Sequence, residues 1–147
     1  MFSHRISSLN IINMDAYVFI FLLVGIKSVK GCSKDIFLVE DSLILSSPGF
    51  EEGKNYDFNL HCKWNIQSNS GVSIDFTSFD LEYQYKCSWD NVMVYDGKCR
   101  EVTSTKFCGT KAPPTFKGEG NMCIEFRSDQ MVTRPGFQVL IKKFIGE

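Results

Sequence analysis

Apolar and polar side chains alternate in short runs along most of the chain, the period-two signature of half-buried strands. Val72 to Phe76 and Met122 to Phe126 each place an apolar residue at every second position. Asn91 to Tyr95 is a further run that ends at Asp96-Gly97, a strong turn signal. Ser42 to Leu45 and Cys62 to Ile66 supply two more strands, and Phe137 opens a long final one that extends to Ile145. No apolar stripe of helical period follows residue 31. Pro113-Pro114 and Gly118 to Gly120 mark a loop between strands rather than a boundary between domains. Short strands punctuated by turns predict an all-β sandwich or barrel. Because residues two apart share a face, the predicted core holds Trp64, Ile66, Val72, Ile74, Phe76, Val92, Val94, Ile124, Phe126, Phe137 and Val139. The same alternation turns Asp75 and Glu125 outward, onto an expected solvated surface.

The beginning of the chain breaks this pattern. Ala16 to Ile26 is an uncharged apolar run, preceded by His4 and Arg5. A membrane-spanning helix needs roughly 20 residues and a signal-peptide core only about 7 to 15, so the run predicts export rather than stable membrane insertion. Residues 1–31 are then a signal peptide, with cleavage near Gly31, and residues 32–147 a secreted domain; Met14 is an alternative start. All six cysteines, at 32, 62, 87, 99, 108 and 123, fall in the expected mature part, as suits an oxidising compartment. No pair has Cys-x-x-Cys spacing, and His61 is the single histidine after residue 31, which argues against zinc and against a redox dithiol.

Composition narrows the function further. The remaining length suits one core and not two. A net charge of −1 without a concentrated basic face excludes a nucleic-acid binder. With one histidine and no Gly-x-Ser-x-Gly elbow, the sequence lacks the nucleophile, base and orienting group that covalent catalysis needs, so no enzymatic activity is expected. His61, beside Cys62 at a strand start, is expected to be structural or exposed. Between residues 79 and 92, Glu82 and Asp90 flank Cys87 in an aromatic-rich stretch. Spacing alone leaves both a solvated acidic turn and a hard-cation site open.

These segments, in their order, resemble the CUB domain. The likeness is carried by Ser47-Pro48-Gly49-Phe50, Cys62 to Ile66, Val72 to Phe76 leading into Phe79 to Glu82, Cys87 to Asp90, Val94 to Gly97, Phe107 to Gly109, Ile124 to Asp129 and Gly136-Phe137. It implies an extracellular antiparallel two-layer β-sandwich of jelly-roll type, with disulfides Cys32–Cys62 and Cys87–Cys108. Cys99 and Cys123 are extra to that pattern. Alternation turns Cys123 away from the face that Met122 and Ile124 bury, within reach of Cys99 on a neighbouring strand end, so a third bridge is preferred over an intermolecular disulfide.

Glu82, Asp90 and Asp129 fall where calcium-binding members of the family carry acidic ligands, so the resemblance implies a Ca²⁺ site, completed by water and carbonyls within Gln130 to Thr133. In such members the ligand oxygens also accept a lysine or arginine from an extracellular protein partner. Here Glu82 and Asp129 would do so, with Tyr83 and Tyr85 packing on the aliphatic stem. One departure concerns the aromatic residue before the Ser-Pro turn, which is replaced near Ser42. The alternative functions are a calcium-independent secreted lectin similar to the spermadhesins, venom components included, or a piece of a multidomain CUB protease or receptor.

Overall fold

A computed structural model describes residues 30–99 and 104–145. The elements in chain order are β1 (Lys30–Gly31), β2 (Lys34–Phe37), β3 (Ser42–Ser46), β4 (Leu60–Gln67), β5 (Gly71–Asp80), β6 (Asn91–Asp96), β7 (Phe116–Gly118), β8 (Met122–Arg127) and β9 (Gly136–Phe144). No helix occurs among the described residues. The apolar run at 16–26 lies outside them.

The strands form two sheets. In the first, β4, β8 and β6 lie side by side and antiparallel, while β1 and β2 both run parallel along the outer edge of β4. The second has the order β3-β9-β5-β7 and is antiparallel throughout. This is the two-layer sandwich that the sequence predicts. The alternation did not anticipate the parallel edge strands, because β1 and β2 are short and only Ile36 in β2 is buried.

The sheets meet over an apolar core. Of the predicted core residues all are buried except Phe76, which is partly exposed and packs against the others. Phe137 lies at the centre, edge-on to Trp64 at 5.9 Å and to Phe126 at 5.5 Å. Such aromatic pairs add roughly 0.5–1.5 kcal/mol to the stabilisation from burial alone. Tyr56, Leu60, Phe79 and Leu81 join the core from loops and strand ends, where no alternation announces them.

Two local features bring chain segments to one end of the sandwich. The β5–β9 register shifts between Phe76 and Ser78, leaving Thr77 as an extra residue. A bulge reverses the parity of the strand beyond it, so Phe79 and Leu81 turn inward where Ser78 and Asp80 would otherwise have done so. Gly136 adopts φ +97°, and a Cβ there would stand 2.0 Å from the Ser47 hydroxyl oxygen. That close approach lets Ser47 Oγ accept the Phe137 N–H at 2.9 Å. The loop after β3 is thereby tied to the start of β9, and Tyr56 is carried across the end of the barrel-like rim, where its N–H bonds the Arg134 carbonyl.

Disulfides join Cys32 to Cys62, Cys87 to Cys108 and Cys99 to Cys123. The last covers part of the outer face of the first sheet, where Met93, Tyr95 and Cys123 form a small second cluster with Cys99. The expectation that Glu125 is solvated fails here. Its side chain does point out of the sandwich, but it is only 2% exposed, because this cluster and its own partners cover it. Asp75, on the other sheet, is partly exposed and accepts a hydrogen bond from Thr115.

Candidate cation-binding site

Three loops at one end of the sandwich each deliver one acid. Glu82 follows β5 directly after the inward Leu81, Asp90 immediately precedes β6, and Asp129 comes two residues after β8. Side-chain oxygens of these three lie within 4.8 Å of one another. They are the set that the sequence singled out, and among the described residues this is the one group of three or more acids, histidines or cysteines clustered so closely.

The loops are held by specific bonds. Gln84 Oε1 accepts the N–H groups of Lys86 and Ser88 together with the Ser88 hydroxyl, and the Gln84 carbonyl accepts the Cys87 N–H. Cys87 takes φ +47° in this turn and is bridged to Cys108, while the Leu81 N–H bonds the Gly109 carbonyl. On the other side Ser128 Oγ donates to the Asp57 carbonyl and accepts the Leu60 N–H, and the Asn59 N–H bonds the Asp129 carbonyl.

Asp90 is the fixed member. It is fully buried; Oδ2 accepts the Tyr56 hydroxyl at 2.5 Å and Oδ1 accepts the Asp129 N–H at 2.7 Å. The Tyr56 hydroxyl oxygen in turn accepts the Glu82 N–H at 3.1 Å. One buried phenol therefore links two of the three acid-bearing loops. The aromatic support for Asp90 thus comes from the loop after the Ser-Pro turn, whereas the aromatic residue before that turn is the one replaced near Ser42. An isolated tyrosine in a polar loop gives no sequence signal for such a role.

The electrostatics are those of anions brought close together and partly out of water. Burial first, and then the charges of Asp90 and Asp129, raise the Glu82 carboxyl above its ordinary range. Burial also raises Asp90, against the opposing pull of its bonds from Tyr56 and the Asp129 N–H. Glu82 Oε2 is shut off from solvent without a hydrogen-bond partner. Arg134 gives Glu82 some relief, but its Nε stands 3.8 Å from Asp80 and makes no hydrogen bond to the cluster. A hard-oxygen donor set with an orphaned buried oxygen fits a hard cation. Asp129 Oδ1 already accepts the Met131 N–H at 2.8 Å, and within Gln130 to Thr133 the Thr133 carbonyl accepts from Asn55. Tyr83 and Tyr85 are 67% and 83% exposed beside the cluster.

A second acidic locus was not foreseen. Glu125 accepts hydrogen bonds from Arg127 Nη2 at 2.7 Å, from Arg127 Nε at 2.9 Å and from the Tyr95 hydroxyl at 3.1 Å, with His61 Nε2 at 2.6 Å. Burial raises its carboxyl, but the bonds from Arg127 and His61 more than reverse this and leave it below the ordinary range. Tyr95 is pushed up to about 12, by burial and then by the Glu125 bond. His61 is thus a structural partner.

Comparison with known proteins agrees with this architecture. The family model for the CUB domain matches residues 32–140. Human Tolloid-like protein 2 is 35% identical over 114 residues, which is 75% of this chain and 11% of that protein. Rat procollagen C-endopeptidase enhancer 1 is 36% identical over 98 residues, 63% of this chain and 21% of the relative. The chain thus spans only a small part of the length of these relatives. Among solved structures, the full extracellular region of zebrafish Gpr126/Adgrg6 aligns with a TM-score of 0.68 and 26% identity, over 80% of this chain and 15% of that one. The MASP-1 CUB2 domain, solved bound to Ca²⁺, shares the fold with a TM-score of 0.63 and 24% identity, over 76% of this chain and 99% of that one.

Proposed function

The chain belongs to the CUB domain family, and from that premise we propose that it is a non-catalytic, calcium-dependent protein-binding module that acts outside the cell. In this reading residues 1–31 direct export, and the loop surface at Glu82, Asp90 and Asp129 captures a lysine or arginine of a protein partner. The observation that carries the reading is the convergence of three carboxylates within 4.8 Å, one of them fixed by a buried tyrosine. The Ca²⁺-bound MASP-1 domain lends it support by fold.

Calcium takes about 6–8 oxygen ligands, and here it would supply the positive charge that the three anions lack. Asp90, buried and bonded on both oxygens, acts as the anchor. Glu82 and Asp129 are the more open pair, and their remaining lone pairs would accept from the partner's ammonium or guanidinium group. A hydrogen bond of this charge-assisted kind contributes roughly 1.5–3 kcal/mol. Tyr83 and Tyr85 would cover the aliphatic stem.

Calorimetry of the purified protein tests the reading. Binding in the range of about 10⁻⁴ to 10⁻³ M is expected for an extracellular module, and Asp129→Ala should abolish it. If unmodified protein gives no calcium heat, or the variant gives equal heat, the acids form only a solvated loop.

A further inference from the structure

The loops that deliver the acids also carry an apolar collar. Phe58, Tyr83, Tyr85, Trp89, Met131 and Val132 are all exposed. Five of them lie within three residues of Glu82, Asp90 or Asp129, and Phe58 precedes Asn59, whose N–H bonds the Asp129 carbonyl. The other exposed large apolar side chains lie away from these loops: Phe37, Val39, Leu43 and Ile44 in β2, β3 and the segment between them, and Ile145 after β9. Exposed apolar residues scattered singly need no explanation, but six around one charged centre do.

The collar is also pre-shaped. The bond from the Met131 N–H to Asp129 and the three bonds received by Gln84 fix the turns that bear Met131 and Tyr85. Tyr83 lies against Gly109, where an added Cβ would stand 3.2 Å from its ring. A surface held in place loses little freedom when it is covered.

We propose that this surface selects one basic side chain set within an apolar segment of a protein, with aliphatic or aromatic neighbours of that residue seated on the collar. This deepens the function proposed above and rests on it. Charge complementarity fixes the number of cations. Once a dication offsets two of the three acidic charges, one negative charge remains for one lysine or arginine. A second basic residue in the partner would meet Lys86 and Arg134, the cations of these same loops, both exposed. A membrane is the other surface that exposed aromatic loops enter. The collar loops at 49–59, 82–90 and 129–134 together hold six acids against three cations, so they stay negative even after a dication offsets two charges, which disfavours an anionic bilayer.

The test uses protein purified from cells expressing the full chain, titrated in calcium by NMR with three synthetic peptides. In the first, Gly-Ser-Leu-Lys-Leu-Ser-Gly, leucines flank one lysine; in the second, serines replace the leucines; in the third, norleucine replaces the lysine. The leucine-flanked peptide should bind about tenfold tighter than the serine-flanked one, a difference of about 1.4 kcal/mol, and the norleucine peptide should not bind. Phe58→Ser combined with Trp89→Ser should reduce that preference to about threefold or less while calcium affinity, measured separately, stays within about twofold. Equal binding of the first two peptides, or a full preference retained in the variant, would overturn the collar while leaving the calcium site intact. Calcium-dependent sedimentation with phosphatidylserine vesicles that the variant loses would replace the peptide by a membrane. Absence of calcium binding in unmodified protein would remove the underlying function and the collar's role together.

Discussion

Two acidic loci, one on the outer face of the first sheet and one in the loops at the end of the sandwich, have opposite electrostatics, although Glu125 and Asp129 stand only four positions apart in the chain. Around Glu125 the protein supplies its own positive charge and donors, Arg127, His61 and Tyr95, and the carboxyl is held below its ordinary range. Around Glu82, Asp90 and Asp129 it supplies one phenol and backbone N–H groups but, among the described residues, no cation within hydrogen-bonding reach, and Glu82 and Asp90 are raised. A buried acid that is fully partnered is a structural element, whereas acids left in mutual repulsion store affinity for a cation from outside. Burial alone does not separate the two cases, since Glu125 and Asp90 are both buried.

The contrast is broken most severely by removing the partners of Glu125. Combining His61→Ala with Arg127→Ala would leave the Glu125 carboxylate, only 2% exposed in the folded protein, without its guanidinium partner and without the imidazole. The expected cost is about 3–5 kcal/mol, the usual penalty for an unpaired buried charge, and it should be the same in calcium and in chelator. Urea unfolding under both conditions measures it. A loss that calcium restores would mean that the two loci are coupled.

Next in size is Tyr56→Phe, which deletes the hydroxyl joining Asp90 to the Glu82 backbone while keeping the buried ring. Loss of a hydrogen bond to a charged group predicts a cost of about 1.5–3 kcal/mol in chelator, together with weaker calcium binding. Thermal unfolding and calorimetry check the two parts. An unchanged calcium affinity would show that Asp90 does not need the phenol for its placement.

Smaller still is the effect of the ion itself. Calcium at about ten times its dissociation constant should stabilise the unmodified protein by about 1.4 kcal/mol, and should do nothing for Asp129→Ala. Denaturant midpoints with and without chelator report this directly.

The smallest effect is a difference of sign with pH. Glu82 and Asp90 have folded values above the ordinary 4.5 and 3.8, so in chelator the folded state keeps protons that the unfolded chain has lost. Their contribution therefore falls as pH rises through that window. Glu125 has a folded value below 4.5, so its contribution is present above that pH and is lost as pH falls through the lower folded value. Stability in chelator should thus rise slightly on mild acidification and then drop, and calcium should flatten the first limb by competing with protons for Glu82 and Asp90. A monotonic loss from neutral pH downward would contradict the assignment of repulsion to the triad.

The sequence by itself determined the layered β architecture and most of the core, because period-two alternation in β4, β5, β6, β8 and β9 is a local property that burial on one face requires. The positions of Glu82, Asp90 and Asp129 were also legible, but through the resemblance of the segments around them rather than through spacing. Tertiary structure decided the rest. The bulge at Thr77 inverted the parity of β5, so that Leu81 turned inward and Glu82 followed it at the rim, which no alternation along Val72 to Phe76 foretells. Tyr56 became the link between two acids only because Ser47 and Gly136 approach closely enough to draw its loop across the end of the sandwich. Glu125 points outward as its strand position dictates, yet Tyr95 and His61 on the neighbouring strands, with Arg127, close over it. Within an unbroken strand, which way a side chain points is fixed by its neighbours in sequence, whereas where a bulge falls and what stands over a side chain are fixed by segments far away along the chain.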